Sequence, residues 1–352
     1  MKNKDKIYVW ACDVNDYRGE GILAINFLKQ LNEVSKKEIF VESPHAILII
    51  NNGKIKIITK EYKKKINFNF LYNYLFPLMG IIKIYINRSN YSKICYVNFL
   101  PLWNFLLFLL LPKDTIYGPV TGSVYNGKVD SINSFLRKYL IPILYNFSLK
   151  IIGKKKYLLF STSLLKKFIT PSSSKNYFFD YNLINYKKNS FSLVKKDIDL
   201  LFYYRKYAAH DSSKQARIIE RLAMNGYKIF VVGDNIKMKN VTNLGIISRK
   251  KVFEYLRRSK FTINEATNFF SIFCIDSISC GTQVFFDKNI TRQQHYFPKK
   301  YFIKINLDDA NFSYLMIKKA LMNYHKVNKL NFSLVNFKKK YLKYFTSQVF
   351  YN

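Results

Sequence analysis

Acidic side chains are scarce in this sequence: 22 Asp and Glu stand against 58 Lys and Arg, a formal charge of +36 over 352 residues. Such an excess attracts polyanions, whether nucleic acid, anionic lipid or phosphorylated substrates. Part of it goes with a codon-composition bias, visible in the abundance of Lys, Asn, Ile, Phe and Tyr. The lysines are spread along the chain instead of forming an arm or tail, and no compact recognition motif accompanies them, which argues against nucleic acid. Cysteine is equally sparse. Cys12, Cys95, Cys274 and Cys280 lie in apolar surroundings with no Cys-x-x-Cys pair, and His45, His210, His295 and His325 stand far apart. That spacing argues against a zinc site and fits a reducing cytoplasm. Long apolar runs are missing too. The most apolar segment, Phe99 to Leu111 before Pro112, is well short of the ~20 residues that cross a bilayer. It reads as a core or partly exposed helix, or as one that dips into a membrane surface beside basic charge. The opening MKNKDKIYVWACD has neither a long apolar core nor a small-residue cleavage site, so no signal peptide is expected.

What is present is enough apolar material for a core, 49% of residues, over a length that suits two domains. Lys6 to Cys12 alternates as a strand, Asp13 to Gly21 is a polar loop, and Ile22 to Val34 carries Leu23, Phe27 and Leu31 on one helical face. Strand, glycine loop and helix open a doubly wound sheet, and ligands bind above such a loop. Gly19-x-Gly21 lacks the third glycine of a dinucleotide fingerprint. Arg18, Glu20 and the neighbouring aspartates are candidate contacts for a ligand above that loop, or solvated loop residues. Strand patterns follow at Ile39 to Ile50 and Lys54 to Ile58 around Asn51-Asn52-Gly53, a helix at Asn69 to Ile86, and a strand at Ile94 to Phe99. Ile132 to Ile152 reads as a long helix bent near Pro142, and Tyr157 to Phe160 as a short strand.

The most linker-like stretches place a boundary between about Asn185 and Lys196, giving domains of residues 1–188 and 189–352, with a terminal helix that could return to the first. Beyond the boundary strands and helices alternate: Ile198 to Tyr204, Ser213 to Asn225, Tyr227 to Val232, Val241 to Ile247, Arg249 to Arg258 capped by Ser248, and Phe261 to Asn264. Tyr301 to Ile305 is the last strand, before a helix at Asp308 to Tyr324. This is the pattern of a parallel sheet covered on both faces. Asp197-Ile198-Asp199 precedes its strand, on the wrong edge for an open-sheet metal site. No required metal or cofactor is expected.

The chain is organised around TINEATNFFSIFCIDSISCGTQVFFD, Thr262 to Asp287. It reads as strand, polar loop, short apolar helix, glycine stop and strand, with Gly281 where a helix end needs a left-handed residue. A helix start suits a phosphate, and an acid further along suits ribose hydroxyls. Asp276 lies among Ile, Phe and Cys, where an unpaired carboxylate is costly.

This stretch resembles the nucleotide-sugar-binding motif of GT-B glycosyltransferases, especially the GT4-like group: an acid, a Phe-Gly-type turn, a second acid, then small residues and a glycine. Asp276, five residues before Gly281, matches the second acid. Asn268 occupies the place of the first, with Glu265 nearby as a substitute, and the turn runs through Phe270 to Ser271 where the family has glycine. The loop Thr115-Ile116-Tyr117-Gly118-Pro119-Val120-Thr121-Gly122-Ser123 resembles that group's acceptor-domain loop, with Thr121 and Ser123 offering hydroxyls. Arg205 matches the arginine that holds the donor diphosphate. Lys214 corresponds to the lysine across a longer loop, with Lys206 and His210 as alternatives, and Gly245-Ile246 falls where backbone groups meet the base.

The resemblance implies an α/β GT-B fold, two Rossmann-like domains facing across a cleft. It implies transfer of a sugar from a nucleotide-sugar co-substrate to a hydroxyl of a glycan or lipid-linked glycan, of hexosyl type, with retention, without an enzyme nucleophile or a metal. A cytoplasmic protein peripheral to an anionic inner membrane face is expected. The rival, kept open by Asn268, is a non-catalytic protein of the same fold that binds anionic lipid or glycan.

Overall fold

The computed structural model describes residues 3–14, 19–44, 46–60, 69–97, 100–121, 132–153, 158–160, 165, 168, 177–179, 194–205, 213–264, 271–288, 301–325 and 347. The chain divides into two compact units, one containing Met1–Val124 with Val129–Asn185, the other Tyr186–Leu334. Most of the expected linker, residues 185–193, and the returning terminal helix lie outside the described residues.

In the first unit, β1 (Asn3–Ala11), α1 (Gly19–Ser35), β2 (Glu38–Glu42), β3 (Ala46–Asn51), β4 (Lys54–Lys60), α2 (Asn69–Asn87), β5 (Tyr91–Val97), α3 (Phe105–Leu110) and β6 (Ile116–Tyr117) follow in order. The six strands form one sheet in the order β4-β3-β2-β1-β5-β6. β1, β2, β5 and β6 are parallel, whereas β3 and β4 run antiparallel as an edge hairpin. Asn52 and Gly53 both take positive φ, +49° and +72°, as a two-residue hairpin turn on right-twisted strands requires. The expected single strand Ile39 to Ile50 is two. The Ser43 hydroxyl accepts from Ala46 N at 3.0 Å and so turns the chain locally.

Alternation in β1 divides the core. Tyr8 and Trp10 face α2 and α3, with Ile81, Ile84, Leu107 and Phe108. Ile7, Val9 and Ala11 face α1, with Ala24, Phe27 and Leu31. The apolar segment at Phe99 to Leu111 gives a helix of only Phe105–Leu110. Pro101 is held in a bridge to Thr121, and Asn104 Oδ1 caps the helix by accepting from Leu107 N at 3.3 Å. After α4 (Ile132–Phe135) the chain widens into a π-turn, Leu136–Leu140, before α5 (Ile141–Ile152). The cause is Pro142, which lacks an N–H and would press on the carbonyl four residues back. β7 (Leu158–Phe160) pairs in parallel with β8 (Tyr177–Phe179), a strand the sequence pattern did not reveal.

The second unit contains β9 (Ile198–Tyr204), α6 (Ser213–Met224), β10 (Ile229–Gly233), β11 (Val241–Gly245), α7 (Arg249–Arg258), β12 (Ser259–Ile263), α8 (Ile272–Ser279), β13 (Gln283–Asp287), β14 (Phe302–Ile305) and α9 (Ala310–Met322). Its strands run β11-β10-β9-β12-β13-β14, and every pairing is parallel. In sequence terms that is third, second, first, fourth, fifth, sixth, the order of a Rossmann sheet. Leu200 and Phe202 pack with Ile218 and Ile317 of α6 and α9. Leu201 points the other way, to Leu256 of α7 and Phe273 of α8. The expected α/β architecture, two sheets rich in parallel pairing with helices on their faces, is what the chain adopts.

Candidate functional site

In an open parallel sheet the strand order reverses at one point, and a crevice opens there beyond the carboxyl ends of the strands. In the second unit that point lies between β9 and β12. β9 ends in Tyr203-Tyr204 and leads to Arg205; β12 leads to Asn264. α8 begins on the same edge, capped by Ser271. The Ser271 hydroxyl accepts from Cys274 N at 3.1 Å and donates to Asn264 Oδ1 at 3.0 Å. Asn264 is itself buried, its N–H on Phe285 O at 2.8 Å and its carbonyl reached by Gln215 Nε2 at 3.5 Å. These bonds fix where the helix start points.

The other end of α8 closes in a Schellman motif. Gly281 has φ +70° and bonds from its N to Ile278 O at 3.0 Å, while Thr282 N reaches Ser277 O at 2.9 Å. Between the two ends sits Asp276. Its side chain is 3% exposed and receives a two-pronged ion pair from Arg249, Nη2 to Oδ1 at 2.8 Å and Nε to Oδ2 at 3.1 Å. The partner that a buried carboxylate needs is therefore an arginine of α7. Arg249 was not legible as such, yet a signal existed. α7 opens Arg249-Lys250-Lys251 behind the cap Ser248, three cations where the helix dipole disfavours them. A helix start so loaded asks for an anion, and Asp276 answers for one of the three.

Arg205 is exposed, donates from Nε to the Tyr203 hydroxyl at 2.6 Å and lies over the Tyr203 ring. That ring stacks on Phe273 in the first turn of α8, centroids 5.4 Å apart. Tyr203, which the sequence reading passed over, thus ties Arg205 to the helix start. Gly233 at the end of β10 has φ +107°, and a Cβ there would lie 2.4 Å from Tyr204 O, so only glycine fits. Lys214, at the start of α6, forms a short ion pair with Asp308 beyond β14. Gly245 has φ +65°, and the side chain of Ile246 is 89% exposed. These residues stand on the carboxyl edge of the second sheet. Glu265, Asn268 and Phe270 lie outside the described residues, as do Lys206 and His210.

In the first unit the equivalent reversal falls between β1 and β5. α1 starts at Gly19 on that edge, with Glu20 exposed in its first turn and Gly21 buried. Thr121 follows β6 and exchanges backbone bonds with Leu100 and Leu102. Gly118 packs so close to Val97 that a Cβ would meet its Cα at 3.1 Å. Arg18, Gly122 and Ser123 lie outside the described residues.

The opposite edge of the second sheet is tied down. Asp197 pairs with Arg258, Nη2 to Oδ2 at 2.5 Å, and with Lys228 at 3.3 Å. Asp199 pairs with Lys260 at 2.6 Å and accepts from Lys228 N at 2.9 Å. Arg258, then Lys228, hold the Asp197 carboxyl well below the usual carboxylate range. Lys196 Nζ donates to Leu256 O and Cys280 O, both at 3.3 Å, at the ends of α7 and α8 where a cation suits the dipole. Among the described residues no group of three or more His, Cys, Asp or Glu could hold a metal ion. Burial pushes the thiols of Cys12 and Cys280 up to about 12, so neither is a nucleophile near neutral pH.

With this geometry in place, comparison with solved structures defines the class of fold. The chain matches sucrose-phosphate synthase from Thermosynechococcus elongatus at 12% identity, covering 99% of this chain and 95% of that one, TM-score 0.62. Anabaena Alr3699/HepE in complex with UDP-glucose matches at 10% identity over 97% of this chain and 98% of that one, TM-score 0.55. WaaG, a glycosyltransferase involved in lipopolysaccharide biosynthesis, matches at 11% identity over 97% and 95%, TM-score 0.52. At such identities the likeness is one of fold, and the fold is that of the GT-B glycosyltransferases. No protein-family model and no curated protein sequence matches the chain.

Proposed function

We propose that this protein is a glycosyltransferase that binds a nucleotide-sugar donor at the carboxyl edge of its second sheet and transfers the sugar to a hydroxyl. The observation that carries the reading is the convergence, at the β9/β12 reversal, of Arg205, the capped start of α8 and the buried Arg249–Asp276 clamp. The departing nucleoside diphosphate gains negative charge, which fixed cations and a helix start stabilise. Arg205 is the first such cation. Lys214 is the second, with the diphosphate displacing Asp308 from it. Asp276, beside Arg249, accepts the ribose hydroxyls, the role that the resemblance implies for it, while Gly245 and Ile246 present backbone to the base. Glu265, Asn268, Phe270 and Ser271 complete the donor loop.

The acceptor is a glycan or lipid-linked glycan of cell-surface polysaccharide synthesis, met by Gly19, Glu20, Gly21 and Thr121 on the edge of the first sheet. Transfer is of the hexosyl type and retains configuration, the donor phosphate taking the acceptor proton, without a metal. UDP-glucose in the complex of a structural neighbour supports a donor of this kind. The charge of +36 supports work at the cytoplasmic face of an anionic membrane.

Thermal unfolding with UDP, GDP, CMP and dTDP in EDTA tests the reading. A nucleotide at 100-fold its Kd adds about 2.7 kcal/mol, or roughly 5–11 °C in Tm at about 2–4 °C per kcal/mol. No shift with any of the four would overturn the donor assignment, and a shift that requires manganese would overturn metal independence.

A further inference from the structure

Surface helices of a globular protein turn their apolar residues inward. Four helices of the first unit do so only in part. Ile82 and Ile86 of α2, Leu109 of α3, Phe135 of α4, and Ile143 and Phe147 of α5 are each 51–62% exposed. Most of the exposed large hydrophobic side chains among the described residues fall on this group of helices. They are neighbours: Tyr85 of α2 donates to Leu110 O of α3 at 3.0 Å, and Phe105 of α3 meets Phe147 of α5 with ring centroids 6.1 Å apart. Single exposed apolar residues are ordinary, but a contiguous face of them marks a docking site.

Charge decides what docks. The sequences of α2, α3, α4, the π-turn and α5 contain no acidic residue, whereas Arg137, Lys138 and Lys150 are interleaved with the apolar positions; Lys83 is paired with Glu42 at 2.6 Å. A second copy would bring a +36 molecule against a +36 molecule, with basic rims face to face. An anionic bilayer meets both features, accepting apolar side chains below its headgroups and basic ones among them. Among the described residues no helix is long and apolar enough to cross a membrane, so the contact lies in the interface plane. We infer that the outward faces of α2, α3 and the α4–α5 segment form one lipid-docking surface for an anionic leaflet. This deepens the membrane part of the reading above and does not depend on the donor site.

Cosedimentation with phosphatidylglycerol/phosphatidylcholine (3:7) vesicles tests it. Wild-type protein is expected to partition strongly, less so at 0.5 M salt, and weakly on pure phosphatidylcholine. Ile86→Glu with Leu109→Glu changes two exposed positions and is expected to lower the partition coefficient at least tenfold, with Tm and the UDP-induced shift unchanged. Arg137→Glu with Lys138→Glu is expected to remove most of the preference for phosphatidylglycerol. Met224→Glu, an exposed apolar residue of the second unit, is expected to change nothing. Partition unaffected by Ile86→Glu with Leu109→Glu would overturn the inference. So would a concentration-dependent dimer in solution that the same pair abolishes, which would make the occupant a second copy. The vesicle assay contains no nucleotide, so its failure leaves the donor reading standing, and absence of a UDP shift leaves the docking surface standing.

Discussion

Asp276→Asn separates support from binding. The substitution keeps the shape of the side chain and removes the charge that receives Arg249 at 2.8 and 3.1 Å. Truncating one partner of a fully buried pair costs about 3–5 kcal/mol. Arg249 is 25% exposed and can recover some water, and the asparagine keeps one acceptor oxygen. The expected loss is therefore about 2–3 kcal/mol, the range of a charge-assisted bond. For a unit of this size it lowers Tm by roughly 5–10 °C. If Asp276 also receives ribose hydroxyls, affinity for the best nucleotide falls at least tenfold, about 1.4 kcal/mol. The double variant Arg249→Met, Asp276→Leu tells the two roles apart. Replacing a buried ion pair by apolar residues of similar volume is often close to neutral, so most of the lost Tm is expected to return. Nucleotide affinity, read by calorimetric titration, is expected to stay low. A single variant that binds like the parent would show the donor site to be on other residues, and one with unchanged Tm would show that the clamp contributes nothing.

Two further outcomes follow from local geometry. Gly233→Ala forces a Cβ to 2.4 Å from Tyr204 O at φ +107°, strain of about 1–3 kcal/mol; chemical denaturation should register it, and an unchanged midpoint would refute the packing at the end of β10. Asp197 has its folded pKa depressed by Arg258 and Lys228, so its contribution is present above about pH 4 and fades as pH falls toward the folded value. The pair is partly exposed, which limits that contribution to about 1 kcal/mol. Asp197→Asn should cost this at pH 7 and progressively less toward pH 2, whereas a gap constant with pH would sink the argument.

The second unit was legible because its physics is local. Alternating apolar strands, Ser248 before α7, and Gly281 after α8 each declare an element within a few residues, and the observed bounds agree closely. Tertiary pairings were not declared in that way. Arg249 lies 27 residues from Asp276, and Tyr203 acts through a ring 70 positions further on. The polarity of α2 was equally hidden. A helix apolar nearly all round reads as buried, and only the fold reveals that Ile82 and Ile86 look outward while Ile81 and Ile84 look in. In the segment before α3, one proline and one capping asparagine outweighed apolar character and shortened the helix to six residues.

Gly80 has a consequence that reaches the surface. It rests directly on the indole of Trp10, where a Cβ would fall 2.2 Å from Cδ1 and Nε1. Because the ring is rigid and fully enclosed, that contact acts as an index pin for α2, fixing the rotation of the cylinder about its own axis. One turn is 3.6 residues, so a methyl at position 80 that cleared the ring by turning the cylinder would carry Ile82 and Ile86 off the outer bearing. Lipid affinity would then be inherited from a residue that never touches lipid, and selection on the outer face would be written partly in the interior.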